Sequence, residues 1–329
     1  REPVLAKYRD ELSVLASCGK PLLPVLNFVS SPQHREPEWR EALARLGLHA
    51  LVRFDSVAPP EDGERRLYES LALLLEHSRG ALQRLITDQE AQREARKHSA
   101  LRLIAELLID CAACRRSVAS EKTAEQQATQ QLRETIRQRE QRCVEALLKL
   151  YGFRTSDAAA SDLPLLDGRW GDDLFNPETL KHLGVRVGSG IAAGAAAGAG
   201  VDLMVGGLTL GAAALAGAIA GGALQTARSY GSRLLGKFKG QRELTVDDSV
   251  LRLLALRQRQ LLHALNARGH AAVDSIKVAT PQDKTWREGK LPEALNKARA
   301  HPQWSSLNPH PKLSQAERQE QIELLAGQI

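Results

Sequence analysis

Cys111 and Cys114 form the one closely spaced thiol pair in the chain, a Cys-x-x-Cys arrangement. A zinc site needs two further ligands, and a redox dithiol belongs at a helix N-terminus after a strand. Here the pair follows an apolar 3-4 spacing (Leu101, Ile104, Leu108, Cys111), so both thiols are expected in a helical core. Asp172-Asp173 beside Trp170 could hold a ligand, or serve only a turn and the helix start that follows it. Arg252, Arg257 and Arg259 could grip phosphates of RNA or lipid, or form a solvated helix face. Aromatics make up only 4% of the chain, so no interleaved rings support base stacking. His301 and His310 share a tail and read as loop or surface residues. No Gly-x-x-x-x-Gly-Lys-Ser/Thr loop, His-Glu-x-x-His or Gly-x-Ser-x-Gly occurs. The expectation is a chain with no catalytic residues, no metal site and no cofactor of its own, and not an enzyme by itself.

The strongest pattern is made of glycines. Gly190, Gly194 and Gly198 recur every four residues, as do Gly207 and Gly211, and Gly217 and Gly221. Each set lines one helix face without side chains, which lets backbones approach closely. In water each helical glycine costs about 1 kcal/mol relative to Ala, so close packing, a bilayer or an oligomer must compensate. From Val187 to Ala227 the only ionisable residue is Asp202, and Gly206-Gly207 divides the stretch into arms of 19 and 20 residues. As helices, such arms are each roughly 30 Å long, the thickness of a bilayer's hydrocarbon core, with Asp202 near the tip. Lys181 and Arg186 precede the stretch; Arg228, Arg233, Lys237 and Lys239 follow it, as anionic headgroups would favour. Two readings stand: a membrane-contacting hairpin, or a hairpin buried in a soluble bundle. Ala and Gly are weakly hydrophobic, which favours the second, and conditional insertion satisfies both.

The elements around these residues are mostly helical. The apolar content is 43%, largely Leu and Ala, which favour helices over strands. The expected class is predominantly α: a long helical hairpin and a Gly/Ala-rich helical hairpin, with a small incomplete α/β part at the N-terminus. Residues 1–87 carry the α/β alternation, with strands near Leu22–Leu26 and Leu48–Phe54 and helices before, between and after them. Residues 88–154 form the long hairpin, with Arg115 and Arg139 in odd seats of its 3-4 patterns. Residues 155–180 read as a linker, 181–242 as the Gly/Ala hairpin with basic flanks, and 243–329 as a C-terminal helical region. That region opens with a helix at Thr245–Asp248 and closes with a capping-box pattern, Ser314 to Glu317.

The net charge of +6 is concentrated: Gln225–His270 holds nine basic and three acidic residues. Such a block points to a partner surface. Four cysteines in 329 residues fit a reduced cytosolic compartment. The opening Arg1-Glu2-Pro3, without Met or an apolar leader, predicts a fragment of a longer protein or a processed chain.

The order helix, Lys20-Pro21-Leu22-Leu23-Pro24-Val25-Leu26-Asn27, helix, strand, helix resembles the last part of a bacterial Era/TrmE-type GTPase domain. The resemblance implies that Asn27 stands where the family's guanine-reading Asn-Lys-x-Asp motif opens; Phe28 and Ser30 replace its Lys and Asp. Phe54-Asp55-Ser56 falls where the family's final nucleotide loop lies. The whole chain is similar to the C-terminal portion of a bacterial GTPase fused to the domain of unknown function 3482. What this implies is the effector or regulatory portion of a GTP-binding protein, with GTP and Mg bound only by a full-length parent. Its output would be membrane association or self-assembly through the glycine-lined hairpin, in the cytoplasm or conditionally inserted at the inner membrane. The alternatives are an RNA-binding accessory module and a soluble helical scaffold.

Overall fold

The computed structural model describes residues 3–27, 35–55, 62–119, 121–153, 169–176, 201–204, 241–267 and 286–329, with single positions 29, 165 and 179. The protein is predominantly α, with eight α-helices described. It divides into two compact units, one formed mainly by residues 1–97 and the other mainly by 98–156, 164–262 and 277–329.

The first unit is a small α/β layer. Helix α1 (Ala6–Ser17) precedes strand β1 (Val25–Leu26), helix α2 (Glu36–Ala44), strand β2 (Val52–Arg53) and helix α3 (Gly63–Leu74). Strands β1 and β2 run parallel, Val25 opposite Val52 and Leu26 opposite Arg53, as a strand-helix-strand crossover requires. Helix α2 starts with a proline in its first turn and Glu36 and Glu38 at the positive end of its dipole. The turn that closes it includes Gly47, whose φ of 74° lets Leu48 N–H reach back to Leu43 O at 3.0 Å. The unit leaves much apolar surface uncovered. No residue of α1 is buried, and Leu5, Val14, Leu15, Val25, Leu73 and Leu75 are all exposed.

Helix α4 (Arg79–Ala113) is 35 residues long. Residues 79–97 belong to the first unit and the remainder to the second, where Leu107, Leu108, Ile109, Cys111 and Ala113 are fully buried. Strand β3 (Arg115–Ala119) and helix α5 (Lys122–Leu150) follow. The buried stripe of α5 runs Thr129, Leu132, Ile136, Glu140, Cys143, Val144, Leu147 and Leu148, a 3-4 spacing. Helices α4 and α5 are antiparallel: Arg139 meets Asp110, and the Cys143 thiol lies 3.6 Å from Leu103 O.

Strand β4 (Val201–Met204), strand β5 (Gln241–Val246) and β3 form an antiparallel sheet with β5 in the centre. Helix α6 (Asp248–Ala267) follows β5 directly. Its residues up to 262 belong to the second unit and are buried nearly all round, through Val250, Leu251, Leu253, Leu254, Ala255 and Leu261, and so contribute to the core of that unit. Asp247 caps the helix, accepting the Ser249 N–H at 2.7 Å. Helix α7 (Glu293–Ala300), a 3₁₀ turn (Pro302–Trp304) and helix α8 (Ala316–Ala326) close the chain.

The structure corrects four expectations. The helix expected to continue through Arg115 stops at Ala113, because the backbone beyond it pairs with β5 and Asn308 Nδ2–H takes the Ala113 carbonyl at 2.9 Å. The odd seat in the stripe of α5 is Glu140, with Arg139 beside it. Thr245 and Val246 belong to β5, so α6 opens at Asp248. The Ser314–Glu317 capping box is not made; Gln315 is the N-cap of α8, and its side chain accepts the Trp304 indole N–H.

The Gly/Ala region is corrected in one respect. Val201–Met204 pairs with β5, Asp202 opposite Thr245, so the first arm is not an unbroken helix to residue 205, nor is Asp202 at its tip. Among the described residues no helix is long and apolar enough to cross a membrane. Gly190, Gly194, Gly198, Gly207, Gly211, Gly217 and Gly221, and the flanking Arg228, Arg233, Lys237 and Lys239, lie outside the described residues.

Candidate functional site

Two buried carboxylates organise the second unit, and consecutive residues of α5 reach them. About 100° separates successive side chains on a helix, so Arg139 and Glu140 face different neighbours. Arg139 turns to Asp110 near the C-terminal end of α4. Asp110 Oδ2 accepts Arg139 Nε–H at 2.7 Å and the Ser306 hydroxyl at 2.8 Å. Its Oδ1 accepts Ser306 N–H at 3.0 Å and an Arg318 guanidinium N–H at 3.3 Å. Ser305 donates to the Asp110 carbonyl at 2.7 Å, and Arg318 also holds the Trp304 carbonyl at 2.8 Å. Burial pushes the Arg139 guanidinium down, but Asp110 beside it outweighs that and the net shift is upward. Four donors saturate the Asp110 carboxylate, leaving it no free lone pair for a substrate or metal. Its work is to join α4, α5, α8 and the loop after Trp304.

Glu140 faces α6 and the strap 169–176. Its Oε2 lies 3.5 Å from Arg257 NH1, and Gln258 Nε2 is 3.4 Å from its Oε1. Arg257 in turn donates to the Asp172 carbonyl at 2.7 Å and lies over the Trp170 ring at 5.2 Å. Burial raises the Glu140 carboxyl to about 7, with Arg257 opposing the rise. This carboxyl exchanges its proton at neutral pH, unlike an ordinary glutamate. Buried Gln258 Oε1 and Trp170 Nε1 have no hydrogen-bond partner among the described residues.

The strap is fixed at a second point. Arg137 grips Asp173 with two parallel bonds, 2.9 and 3.0 Å, and both Arg133 and Arg137 lie over the Phe175 ring. Burial raises the Asp173 carboxyl and Arg137 lowers it, with the net shift downward. The pair Asp172-Asp173 is therefore tied to arginines through a carbonyl and a carboxylate. Among the described residues no cluster of three or more His, Cys, Asp or Glu is placed to hold a metal ion.

Cys111 and Cys114 are both buried, at the end of α4 and just beyond it; Cys143 is buried on α5, and only Cys18 is exposed. Burial pushes the Cys114 thiol up to about 11 and the Cys143 thiol to about 12, and raises Cys111 strongly. Arg252 donates to the carbonyls of Trp286 and Gly289 at 2.8 and 2.7 Å. It and Arg257 are thus used inside the protein. His301 bonds the Lys297 carbonyl and stacks on Trp304 at 4.3 Å. In the first unit, Asn27 directly follows β1 and is exposed, while Asp55 follows β2 and is buried.

The family described as Domain of unknown function (DUF3482) matches residues 40–327, which takes in both buried carboxylates and every partner named for them. The chain belongs to this family. No curated protein and no solved structure matches it. Residues 1–39, with Asn27, lie outside the DUF3482 match.

Sequence reasoning did not find Asp110, Glu140, Gln258, Ser306 or Arg318. A signal was present for the first two. Asp110 interrupts the apolar run Leu107-Leu108-Ile109, and Glu140 occupies a core position between Ile136 and Cys143. The partners of both are more than a hundred residues away in sequence for Arg257, Ser306 and Arg318. No local pattern marks such pairings.

Proposed function

We propose that this chain is the effector portion of a GTP-binding protein, coupling a GTPase-like α/β layer to membrane-surface association or self-assembly. The observation that carries the reading is the parallel pair β1–β2. Asn27 and Asp55 stand just after the carboxyl ends of these neighbouring strands, where open α/β sheets bind ligands. The exposed apolar residues of α1, β1 and α3 fit a layer that packs against further structure. GTP and Mg would be bound by a longer parent, and this chain alone would catalyse nothing.

The output element would be the glycine-lined stretch and its basic flank. Strand β4 ends at Met204, opposite Glu243, and β5 begins at Gln241. Met204 and Gln241 therefore stand at the same end of the sheet, and the sequence between them contains Gly207, Gly211, Gly217, Gly221, Arg228, Arg233, Lys237 and Lys239. With the first arm cut short by β4, contact with a membrane surface or with a second copy suits the stretch better than a two-helix span.

Flotation with anionic liposomes and analytical ultracentrifugation test this reading. A variant with 205–240 replaced by an Asn-Gly turn keeps β4 and β5 adjacent. The intact chain should float or self-associate and the variant should do neither; identical behaviour of the two overturns the reading. For the nucleotide half, the full-length parent should bind GTP, and Asn27→Ala should weaken that binding.

A further inference from the structure

The strap 169–176 has two attachments of different chemical character. Arg137–Asp173 lies at the surface, with both side chains well exposed, and Asp173 stays ionised because Arg137 holds its carboxyl below the usual range. Arg257 is buried, with 3% of its side chain exposed, and Glu140 is the acid that pairs with it. A buried guanidinium is stable only while its counter-charge is present. Through that guanidinium the strap is held twice, at the Asp172 carbonyl and at the Trp170 ring.

We propose that Glu140 and Arg257 form a proton-sensitive latch, which holds residues 169–176 against α5 and α6 while Glu140 is ionised and loosens them when it is protonated. The proton comes from solvent and goes to a Glu140 carboxylate oxygen; no bond between heavy atoms changes. Neutral Glu140 leaves Arg257 as a buried cation with no other counter-ion among the described residues, and Arg257 gains by moving toward water, away from Asp172 and Trp170. With the Gln258 amide turned over, the new O–H of the neutral acid can donate to Gln258 Oε1, a buried acceptor without a partner among the described residues.

The other groups around Glu140 are Arg257 and Gln258 from α6, Asp173 from the strap, Cys111 from α4 and Cys143 from α5. The two thiols stay protonated because burial raises them, and Asp173 stays charged. Glu140 itself, raised by burial to about 7, changes state in the physiological range. The latch rests on this packing alone and holds whether or not residues 187–227 meet a membrane.

Hydrogen exchange read by mass spectrometry on the full chain tests it, with rates corrected for intrinsic chemical exchange. Protection of 169–176 should fall by roughly tenfold from about pH 8 to about pH 6, while α4 and α5 stay protected. Glu140→Gln should show the loosened strap at both pH values, and Arg257→Met likewise. Asp173→Asn should lower protection at both pH values and keep the step. Equal protection of the native strap at the two pH values overturns the latch, even if Glu140→Gln fails to fold. So does a step that persists in folded Glu140→Gln, or one that vanishes in Asp173→Asn.

Discussion

Arg139 on α5 and Asp110 on α4 meet with Nε 2.7 Å from Oδ2, their side chains 13% and 3% exposed. This pair fixes how the two long helices face each other, and the Ser306 and Arg318 contacts bring the C-terminal region to the same carboxylate.

Asp110→Ala removes the shared acceptor and leaves Arg139 and Arg318 buried without their counter-charge. A loss of about 3–5 kcal/mol in unfolding free energy is expected, since breaking a buried pair strands the remaining charges. Urea denaturation followed by far-UV circular dichroism measures it. A loss no greater than that of a surface pair such as Arg45–Glu41 would show that the clamp is not structural.

Trp304 is 2% exposed, and its indole N–H reaches Gln315 at 2.8 Å. Trp304→Ala should cost about 3–5 kcal/mol as a large cavity opens. Its effect should be non-additive with Asp110→Ala, because Arg318 touches both the Trp304 carbonyl and the Asp110 carboxylate. The double variant, measured by the same denaturation, decides this.

Glu140 titrates at about 7 in the folded protein against an ordinary 4.5, so the folded state binds the extra proton in that window. Its contribution to stability is fully present below 4.5 and is lost as pH rises through about 7. Glu140→Gln should therefore flatten the pH dependence of the denaturation midpoint between those values. An unchanged slope would place the titrating group elsewhere.

Cys18 alone among the four thiols is exposed, and burial raises the other three. In the native protein a disulfide reagent should modify one thiol quickly and the remaining three only after denaturation. Rapid reaction of Cys111 or Cys114 would contradict the packing at the end of α4.

Much of the helical framework was legible because local pattern carries it. Leu132, Ile136 and Cys143 show the face of α5, and Gly47 and Gly152 mark helix ends through positive φ. The parallel pair β1–β2 was legible from two short apolar runs on either side of a helix. The three-stranded sheet was not. Val118 sits at a helical distance from Cys111 and Cys114, and nothing local says that Arg115 will face Thr245 across the sheet. The Gly/Ala stretch read as helix up to residue 205 for the same reason, since Val201–Met204 becomes a strand only by pairing with β5.

The sequence by itself determined the helical class, the long helices α4 and α5, the small α/β beginning and the absence of familiar catalytic motifs. These depend on spacings of two to four residues, which set propensity and one-sided burial within a single element. Only the tertiary structure decided where the charges go. Asp110 gathers donors from α5, α8 and the loop between α7 and α8, while Glu140 finds Arg257 across the core. Arg252 and Arg257, readable as phosphate grips or as a solvated helix face, became interior ties. A buried charge is tolerated only where an opposite charge and hydrogen bonds reach it. That condition depends on which distant segments are packed together, and no run of neighbouring residues encodes it.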